Sequence, residues 1–340
     1  MNLLSLFSGI GAYEKALENL NVNYNLIGFS EINPHAVKSY CSIHQVDDSL
    51  NLGDITSINI SNINSKVDLL TYSFPCQDVS LAGKRTGLIN KDGNKTRSGL
   101  FFEALKIIEE KQPKVAIAEN VKGLVTKRFK TQFDIVLKAL EEAGYNNYWK
   151  VLNSKDYGVP QNRERVFIIS IRKDIDNGLF QFPEPIQLNK RLIDMLEGSV
   201  DDSYYLPDEK VTSMIRFSNL SCDPYELKQI GYINTYNGDA NRVYNTNLAR
   251  TLKAEAGGGG AKTGWYEITS NMVRKLTPKE CFRLMGFSDE DYEKAALFNT
   301  VTNLYKQAGN SVVVDVLYYI FKNLYKSIPE VFKNMEGNYE

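Results

Sequence analysis

Over the first 175 residues, short apolar runs alternate with stretches in which apolar residues recur at helical spacing. The apolar runs predict strands at 3–7, 25–30, 67–72, 114–118, 148–152 and 166–171. The amphipathic stretches predict helices at roughly 12–20, 34–43, 98–111 and 131–143. This alternation favours an α/β fold with a doubly wound, mostly parallel sheet, in which ligands bind at the carboxyl ends of the strands.

The pattern changes near residue 180. Segment 180–268 is rich in Asn, Tyr, Ser and Gly and has no sustained helical period, which predicts a second, smaller, irregular and strand-rich domain. Helical patterns return at 277–286 and 311–326. We therefore expect a first domain over 1–179, a second over 180–268, and a return segment over 269–340 that completes the first.

Composition excludes several classes of protein. The 340 residues are 43% hydrophobic and 24% charged, which is typical of a globular chain able to bury a core. The four cysteines lie far apart in the sequence. This spacing argues against a zinc module or a disulfide scaffold and favours a reducing, cytoplasmic setting. We expect neither a bound metal nor a membrane span, because no apolar run approaches the roughly 18 residues that a bilayer requires.

The net charge of −1 hides an uneven distribution. Residues 1–79 hold 3 basic and 8 acidic side chains, whereas residues 80–174 hold 19 basic and 11 acidic ones. A basic middle segment between acidic flanks is compatible with a face that binds phosphates, although such a run is more often a solvated helix face.

A cofactor site is indicated at the end of the first predicted strand. Phe7-Ser8-Gly9-Ile10-Gly11 leads into a helix, and its glycines let the backbone approach a ligand that a Cβ would repel. Glu31 ends the second strand and can accept the hydroxyl protons of a ribose. Gly53-Asp54-Ile55, read as the end of a further strand region, offers an acceptor for an adenine amino group. NAD and S-adenosylmethionine both fit, but the missing third glycine favours a nucleoside without a pyrophosphate.

Candidate reactive groups follow the next strands. Ser73-Phe74-Pro75-Cys76-Gln77 presents a cysteine after a proline, and Ala118-Glu119-Asn120-Val121 brings a carboxyl group and an amide to the neighbouring strand end. Arg163 and Arg165 come just before the strand at 166–171, where alternation predicts that they share one face. A buried inert cysteine and arginines paired with acids are the alternatives for each feature taken alone.

Together these motifs resemble the DNA (cytosine-5-)-methyltransferases of bacterial restriction–modification systems. The matching segments are Phe7-Ser8-Gly9-Ile10-Gly11, Phe74-Pro75-Cys76-Gln77, Glu119-Asn120-Val121, Gln161-Asn162-Arg163-Glu164-Arg165, Arg274-Lys275-Leu276-Thr277-Pro278-Lys279-Glu280-Cys281 and Gln307-Ala308-Gly309-Asn310-Ser311-Val312. In order and spacing they cover nearly the whole chain. Two departures are small, since Ser73 and Ala12 stand where the family often has glycine.

The resemblance implies a covalent mechanism in which the Cys76 thiolate adds to carbon 6 of a cytosine. A protonated Glu119 in a desolvated pocket would hydrogen-bond ring nitrogen 3 and the exocyclic amine. Arg165 is expected at the base carbonyl oxygen, and Arg163 at Glu119 or at a phosphate. Gln77 and Asn120 complete the implied catalytic set, and no side chain stands out as the base that removes the carbon 5 proton.

The resemblance also implies S-adenosylmethionine as cofactor and duplex DNA as substrate, with the target base flipped out of the helix. The implied cofactor-binding residues are Phe7, Gly9, Ile10, Gly11, Glu31, Ile32, Asp54, Ile55, Pro75, Asn310, Ser311 and Val312. The expected DNA-binding residues are Lys84, Arg85, Arg97, Arg242, Arg250, Gly257, Gly258, Gly259 and Gly260. Residues 78–99 are interpreted as a basic lid, and 180–268 as the target-recognition domain, with two strands around the glycine loop.

Three other functions stay open at this point. A tRNA cytosine methyltransferase would share these motifs. A nicotinamide-dependent oxidoreductase would explain the glycine turn and Glu31 but would leave Cys76 and Glu119 without roles. A DNA-binding regulator would need neither a thiol nor a buried acid. We further expect a monomer, with a possible cognate endonuclease acting on the same site.

Overall fold

The computed structural model describes residues 1–75, 98–218, 223, 225–234, 236–254 and 260–332. The strands are β1 (Asn2–Leu6), β2 (Asn25–Ser30), β3 (Leu69–Tyr72), β4 (Val115–Val121), β5 (Tyr145–Asn153), β6 (Gln161–Asn162), β7 (Glu164–Arg172), β8 (Ile215–Arg216), β9 (Gln229–Tyr232), β10 (Arg242–Tyr244), β11 (Ala249–Arg250), β12 (Trp265–Thr269) and β13 (Met272–Arg274). The helices are α1 (Ala12–Asn19), α2 (Pro34–His44), α3 (Phe101–Lys111), α4 (Lys130–Glu142), α5 (Asp208–Thr212), α6 (Gly260–Thr263), α7 (Pro278–Arg283), α8 (Asp289–Ala296), α9 (Val301–Asn310) and α10 (Val314–Ser327).

The chain forms two compact units by its internal contacts. The first comprises the described residues of Met1–Leu152, Glu164–Glu184 and Leu317–Glu340, and the second those of Asn153–Arg163 and Pro185–Val316. By these contacts, residues 269–316 belong to the second unit and the return to the first begins at Leu317, later than the expected 269. The roles expected for 1–179, 180–268 and 269–340 stay a prediction.

A six-stranded sheet organises the first unit, in the order β2-β1-β3-β4-β7-β5. β1 runs parallel to β2 and β3, and β3 runs parallel to β4, whereas β7 is antiparallel to β4. Leu6 pairs with Tyr72, and Tyr72 pairs with Ala118, so the carboxyl ends of β1, β3 and β4 share one edge. The predicted mostly parallel α/β fold is confirmed.

The core of the first unit explains why its strands read as continuous apolar runs. Leu4, Leu70 and Ala116 are completely buried on neighbouring strands, and Phe101 of α3 and Val136 of α4 are buried in the same cluster. Strands that are covered on both faces need apolar side chains at every position.

The second unit contains a smaller sheet in the order β13-β12-β10-β9-β8. Val243 and Val273 lie at the centre of its small apolar core, together with Ile230. β11 and β6 form a separate parallel pair. The predicted strand-rich character of this region is therefore confirmed.

Helix α7 shows how the Arg274–Cys281 motif folds. The Thr277 side chain accepts a hydrogen bond from the Glu280 amide, and the Glu280 carboxylate accepts one from the Thr277 amide. This reciprocal cap satisfies two amides that a helix start leaves unpaired. Glu280 also forms a buried ion pair with Arg274 at 2.6 Å. The motif is thus explained by a stable helix start.

Two parts of the predicted element pattern need correction. Residues 53–55 do not end a strand: Asn51 makes only an isolated bridge to Phe29, and a short 3-10 helix begins at Ile55. Helices α8 and α9 lie between the predicted helical patterns at 277–286 and 311–326. α8 contains few apolar residues, and a reciprocal cap between Ser288 and Asp291 stabilises its start.

Candidate functional site

The chain turns sharply between β1 and α1. Phe7, Gly9 and Gly11 all have positive φ, at 53°, 58° and 80°. A Cβ at Gly9 would meet no atom of the described residues within 4 Å, so these residues leave one face of the turn open. Open space beside an exposed backbone is what close approach of a ligand requires.

Glu31 fastens this turn to the end of β2. Its Oε2 accepts a hydrogen bond from the Gly9 amide at 3.0 Å, and its Oε1 accepts one from the Asn33 amide at 2.8 Å. Each carboxylate oxygen has a further lone pair, so the group can still accept hydroxyl protons. The next side chain, Ile32, is 72% exposed and offers an apolar surface next to the carboxylate.

The loop that carries Asp54 is not a strand, but hydrogen bonds hold it at the end of β2. The Asn51 side chain accepts from the Glu31 amide and donates to the Glu31 carbonyl, both at 3.1 Å. Ser30 donates to the Gly53 carbonyl at 2.7 Å. Asp54 is exposed and accepts from the amide and hydroxyl of Thr56 with Oδ1, while Ile55 is buried. The loop therefore places Asp54 at the edge where β2 ends.

The two glycines of the turn, Gly9 and Gly11, have different surroundings. A Cβ at Gly11 would lie 2.1 Å from Nε2 of His44, so this residue must be glycine because a neighbouring side chain fills the space. The expectation that both glycines let a ligand approach the main chain stays a prediction, and the His44 ring adds a second reason for glycine at position 11. Ile10, between them, is buried.

A second group of polar side chains lies where β3 and β4 end. The Asn120 amide donates to the Phe74 carbonyl at 3.0 Å, and its oxygen accepts from the Val121 amide at 2.9 Å. Asn120 thus fixes the main chain beside Pro75, directly before Cys76. Cys76 and Gln77 themselves lie outside the described residues, as do Lys84, Arg85, Arg97, Gly257, Gly258 and Gly259 and most of the predicted lid at 78–99.

Glu119 is 8% exposed and forms an ion pair with Arg165, whose Nε lies 3.0 Å from Oε1. Close by, the hydroxyls of Tyr13 and Ser73 share a hydrogen bond of 3.1 Å. Burial and the Glu119 charge raise the pKa of Tyr13 well above its usual range, so its hydroxyl keeps its proton. A carboxyl group, a guanidinium and a phenol hydroxyl therefore lie around the end of this sheet.

Arg163 does not follow the predicted strand alternation. β7 begins at Glu164, and Arg163 lies in the second unit with its side chain buried. Its Nη1 donates to the Leu252 carbonyl at 2.8 Å, and its Nη2 donates to the carbonyls of Gly309 at 3.1 Å and Ser311 at 2.7 Å. The guanidinium of Arg165 forms the ion pair with Glu119, and the role expected for Arg163 stays a prediction.

The base of the glycine-rich segment also differs from the prediction. Gly260 begins the short helix α6, and the next strand, β12, starts only at Trp265. Among the described residues, β11 before the glycine-rich segment pairs with β6, and β12 after it pairs with β10 and β13, so strands lie on both sides of the segment but pair with other strands. Gly260, the first residue of α6, and Gly264, the residue after it, have positive φ of 49° and 95°, a conformation that glycine adopts readily because it lacks a Cβ.

The Asp239 carboxylate lies close to Arg242 and Arg250, which were expected to bind DNA, and to Lys253. Its Oδ1 lies 2.7 Å from Nη2 of Arg250 and 3.7 Å from Nη1 of Arg242, and its Oδ2 lies 3.0 Å from Nζ of Lys253. Arg250 also donates to the Gly260 carbonyl at 3.4 Å. Arg250 is therefore held inside the second unit, whereas the Arg242 side chain is 40% exposed.

Helix α9 ends at Asn310, and Ser311 and Val312 follow it. All three residues belong to the second unit. Ser311 and Val312 are buried, while Asn310 is exposed. A Cβ at the preceding Gly309 would lie 2.2 Å from the Lys253 carbonyl, so the chain at 252–254 packs directly on this helix end. Their role in cofactor binding stays a prediction.

Sequence reasoning overlooked His44, Asp239 and the Tyr13–Ser73 pair. Tyr13 and Ser73 flank motif positions, and a polar residue in place of a common glycine was the available signal. His44 gave no signal, because Glu18 lies 26 residues away and the other partner is the Ile10 carbonyl. Asp239 is followed by its partner Arg242 after three residues, but one acid near basic residues does not by itself indicate a site. Among the described residues, no group of three or more His, Cys, Asp or Glu could hold a metal, and no helix is long and apolar enough to cross a membrane.

The family of known proteins that matches this chain is the C-5 cytosine-specific DNA methylases, whose model aligns with residues 1–326. The orphan methyltransferase M.SPRI of Bacillus phage SPR is 34% identical, over 95% of this chain and 97% of the phage protein. The type II methyltransferase M.HhaI of Haemophilus parahaemolyticus is 33% identical, over 96% of this chain and 95% of its own.

Solved structures show the same fold. The S. pombe Dnmt2 methyltransferase superposes with a TM-score of 0.70 over 96% of this chain and 98% of its own, at 22% identity. A putative DNA modification methyltransferase encoded within an E. coli prophage gives 0.62, over 97% and 99%, at 19% identity.

Proposed function

The chain belongs to the C-5 cytosine-specific DNA methylases and is a DNA cytosine methyltransferase, and we propose that it acts through a covalent Cys76 adduct. The methyl group would come from S-adenosylmethionine and go to carbon 5 of a cytosine flipped out of duplex DNA. The nicotinamide-dependent and non-catalytic alternatives are thereby set aside.

The contact between Asn120 and Phe74 is the observation that carries the catalytic proposal. It ties β4 to the main chain two residues before Cys76, at 3.0 Å. Glu119, the neighbour of Asn120, is buried beside Arg165. A reactive thiol that follows this segment would be presented to the edge where a carboxyl group and a guanidinium already lie, and catalysis depends on such fixed positions.

The proposed chemistry assigns each group a task. The Cys76 thiolate adds to carbon 6, and the electron pair of the 5,6 double bond then makes carbon 5 nucleophilic. Glu119, which pairs with Arg165 in the free protein, would take up a proton when the bound base desolvates its pocket, and would donate that proton to ring nitrogen 3. Arg165 would orient Glu119 or contact the base carbonyl oxygen, so charge developing on the ring is neutralised. After methyl transfer, a base removes the carbon 5 proton and the thiolate leaves. Water is the candidate for that base.

The glycine turn supports a nucleoside cofactor without a pyrophosphate. Gly9 leaves one face of the turn open, Glu31 can accept ribose hydroxyl protons, and the exposed Ile32 can pack on an adenine. Asp54, on the loop bound to the end of β2, can accept from the adenine amino group. When bound, S-adenosylmethionine would supply the electrophilic methyl sulfonium.

The DNA-binding part of the proposal concerns the second unit and the basic segment. Residues 180–268 would choose the DNA sequence, and Arg242 and Gly260 lie in that region. The basic residues of 78–99 would close over the substrate. A monomeric, cytoplasmic enzyme with a cognate endonuclease for the same site completes the proposal.

The test combines a thiol variant with a choice of substrate. Wild-type protein should methylate duplex DNA and leave tRNA unmodified, and duplexes with 5-fluorocytosine should trap it covalently, because fluorine blocks the final elimination. Cys76→Ala should lose activity by about a thousandfold or more, the scale seen when a nucleophile is removed. Cys41→Ala is the matched control, since Cys41 is a half-buried free cysteine on α2.

Substantial activity of Cys76→Ala, with Cys41→Ala unchanged, would refute the covalent mechanism. Methylation of tRNA in place of DNA would replace the substrate. Bisulfite sequencing of DNA from a host that expresses the protein would identify the methylated site.

A further inference from the structure

His44, the last residue of α2, lies directly beneath the glycine turn. Its side chain is 1% exposed. Nδ1 lies 2.6 Å from Oε1 of Glu18 on α1, and Nε2 lies 3.1 Å from the Ile10 carbonyl oxygen. The ring also occupies the place of a Cβ at Gly11. One imidazole therefore touches both the turn and the helix that follows it.

Both atoms that face the ring nitrogens are hydrogen-bond acceptors. A main-chain carbonyl has no proton to donate. Glu18 already accepts from the Tyr24 hydroxyl at 3.1 Å, and Lys15 lies 3.6 Å away. Although burial raises the pKa of Glu18, its bond to His44 and the nearby positive charges lower it overall, so Glu18 is ionised. A neutral imidazole has one N–H and can donate to only one of these two acceptors. Its other ring nitrogen would then place a lone pair against a lone pair of the second acceptor.

We propose that His44 is a buried imidazolium and a positioning residue, which holds the Ile10–Gly11 turn in the shape that the cofactor needs. This inference rests on the proposed binding of S-adenosylmethionine at that turn. Loss of the His44 proton would remove one of the two bonds that tie the turn to α1. Cofactor affinity should therefore fall as His44 deprotonates.

The other ionisable groups around the ring agree with a positive charge. Those from α1 and the following segment are Glu14, Lys15, Glu18 and Tyr24, and the one from α2 is Tyr40. Glu14 is completely buried and accepts from the Tyr40 hydroxyl at 2.8 Å, while its other oxygen has no hydrogen-bond partner among the described residues. Burial alone would lower the pKa of His44, but Glu18 and Glu14 raise it overall.

The direction of the pH effect follows from that raised pKa. The stability contributed by His44 is fully present below the ordinary histidine pKa of about 6.5 and is lost as pH rises through the higher value in the folded protein. The affinity for the cofactor should follow the same course. The effect thus appears on the alkaline side.

The first experiment reads the charge directly in the wild-type protein. The chain has only two histidines, so ¹⁵N spectra of labelled imidazoles contain His44 and one internal reference, the exposed His35. At pH 7, His44 should show two protonated ring nitrogens. Glu18→Gln should move the titration of His44 to lower pH. A neutral His44 at pH 7 would overturn the proposal.

The second experiment links the charge to the turn. The Kd of wild type for S-adenosylmethionine, measured by calorimetry, should rise about tenfold as pH passes the titration of His44. His44→Gln should bind weakly at every pH, with a larger change in the KM for the cofactor than in kcat, and His35→Gln should match wild type. A pH-independent Kd in wild type would refute the positioning role. Absence of cofactor binding at any pH would instead refute the proposed function and leave the spectra interpretable.

Discussion

Two arginines from one motif show how differently the two units use the same side chain. Arg165, at the end of the central sheet, faces the Glu119 carboxylate at 3.0 Å. Arg163, two residues earlier, is 3% exposed in the second unit and donates to three main-chain carbonyls. The first arginine is paired with an acid near the proposed chemistry, whereas the second joins separate chain segments.

The comparison shows that a charged residue within a family motif is not necessarily a catalytic residue. The Arg163 guanidinium donates to the main-chain carbonyls of Leu252, Gly309 and Ser311. Together these bonds hold the chain after β11 against the end of α9. Loss of Arg163 should therefore weaken the fold of the second unit, whereas loss of Arg165 should weaken catalysis.

Arg163→Gln should produce the largest effect on stability. Hydrogen bonds that involve a charged group contribute about 1.5–3 kcal/mol each, and glutamine is too short to reach the three carbonyls. We expect the free energy of unfolding to fall by about 3 kcal/mol or more. Urea unfolding would be followed through Trp265, in a Trp149→Phe background that leaves one tryptophan in the chain. A loss below about 1 kcal/mol would mean that water replaces the guanidinium.

Arg165→Gln is the matched change in the other region. It should lower kcat by about a hundredfold, the scale for removing one group that stabilises developing charge. Its unfolding free energy should change less than that of Arg163→Gln, and the KM for the cofactor should stay near the wild-type value. Equal losses of stability in the two variants, with activity following the folded fraction, would erase the distinction between the arginines.

The sequence was sufficient for the sheet because burial on both faces requires apolar runs, as at Leu70 in β3 and Ala116 in β4. It also placed Glu31, Glu119 and Asn120 at strand ends, where the structure has them. The motif itself indicated the family correctly.

Contacts to the main chain could not be predicted in the same way. The partners of Arg163 are carbonyl oxygens, which every residue carries, so no residue type marks them. The ring that excludes a side chain at Gly11 comes from His44, 33 positions later, as the two residue numbers show. Gly260 begins α6 with a positive φ, and a glycine in the sequence does not distinguish a turn from a strand because it adopts positive and negative φ about equally readily.

A smaller contrast of the same kind exists between Arg242 and Arg250 in the second unit. Arg250 is 12% exposed and bound to Asp239 at 2.7 Å, whereas Arg242 is 40% exposed and 3.7 Å from the same carboxylate. Although burial raises the pKa of Asp239, its bonds to Lys253 and Arg250 lower it overall, so the carboxylate stays charged and neutralises its neighbour. A cation already paired in this way releases few counterions when DNA binds.

Arg242→Gln should therefore make the slope of log Kobs against log salt shallower by about 1, as loss of one phosphate contact does, and weaken binding only a few-fold. Arg250→Gln should leave the slope unchanged, since Arg250 supports the start of α6 at Gly260. Fluorescence anisotropy with a labelled duplex between roughly 50 and 200 mM salt covers the range in which such slopes are measured. If Arg250→Gln lowered the slope as much as Arg242→Gln, Arg250 would have to leave Asp239 and bind a phosphate in the complex. The two arginines would then share one role, and burial in the free protein would no longer separate structural from DNA-binding cations.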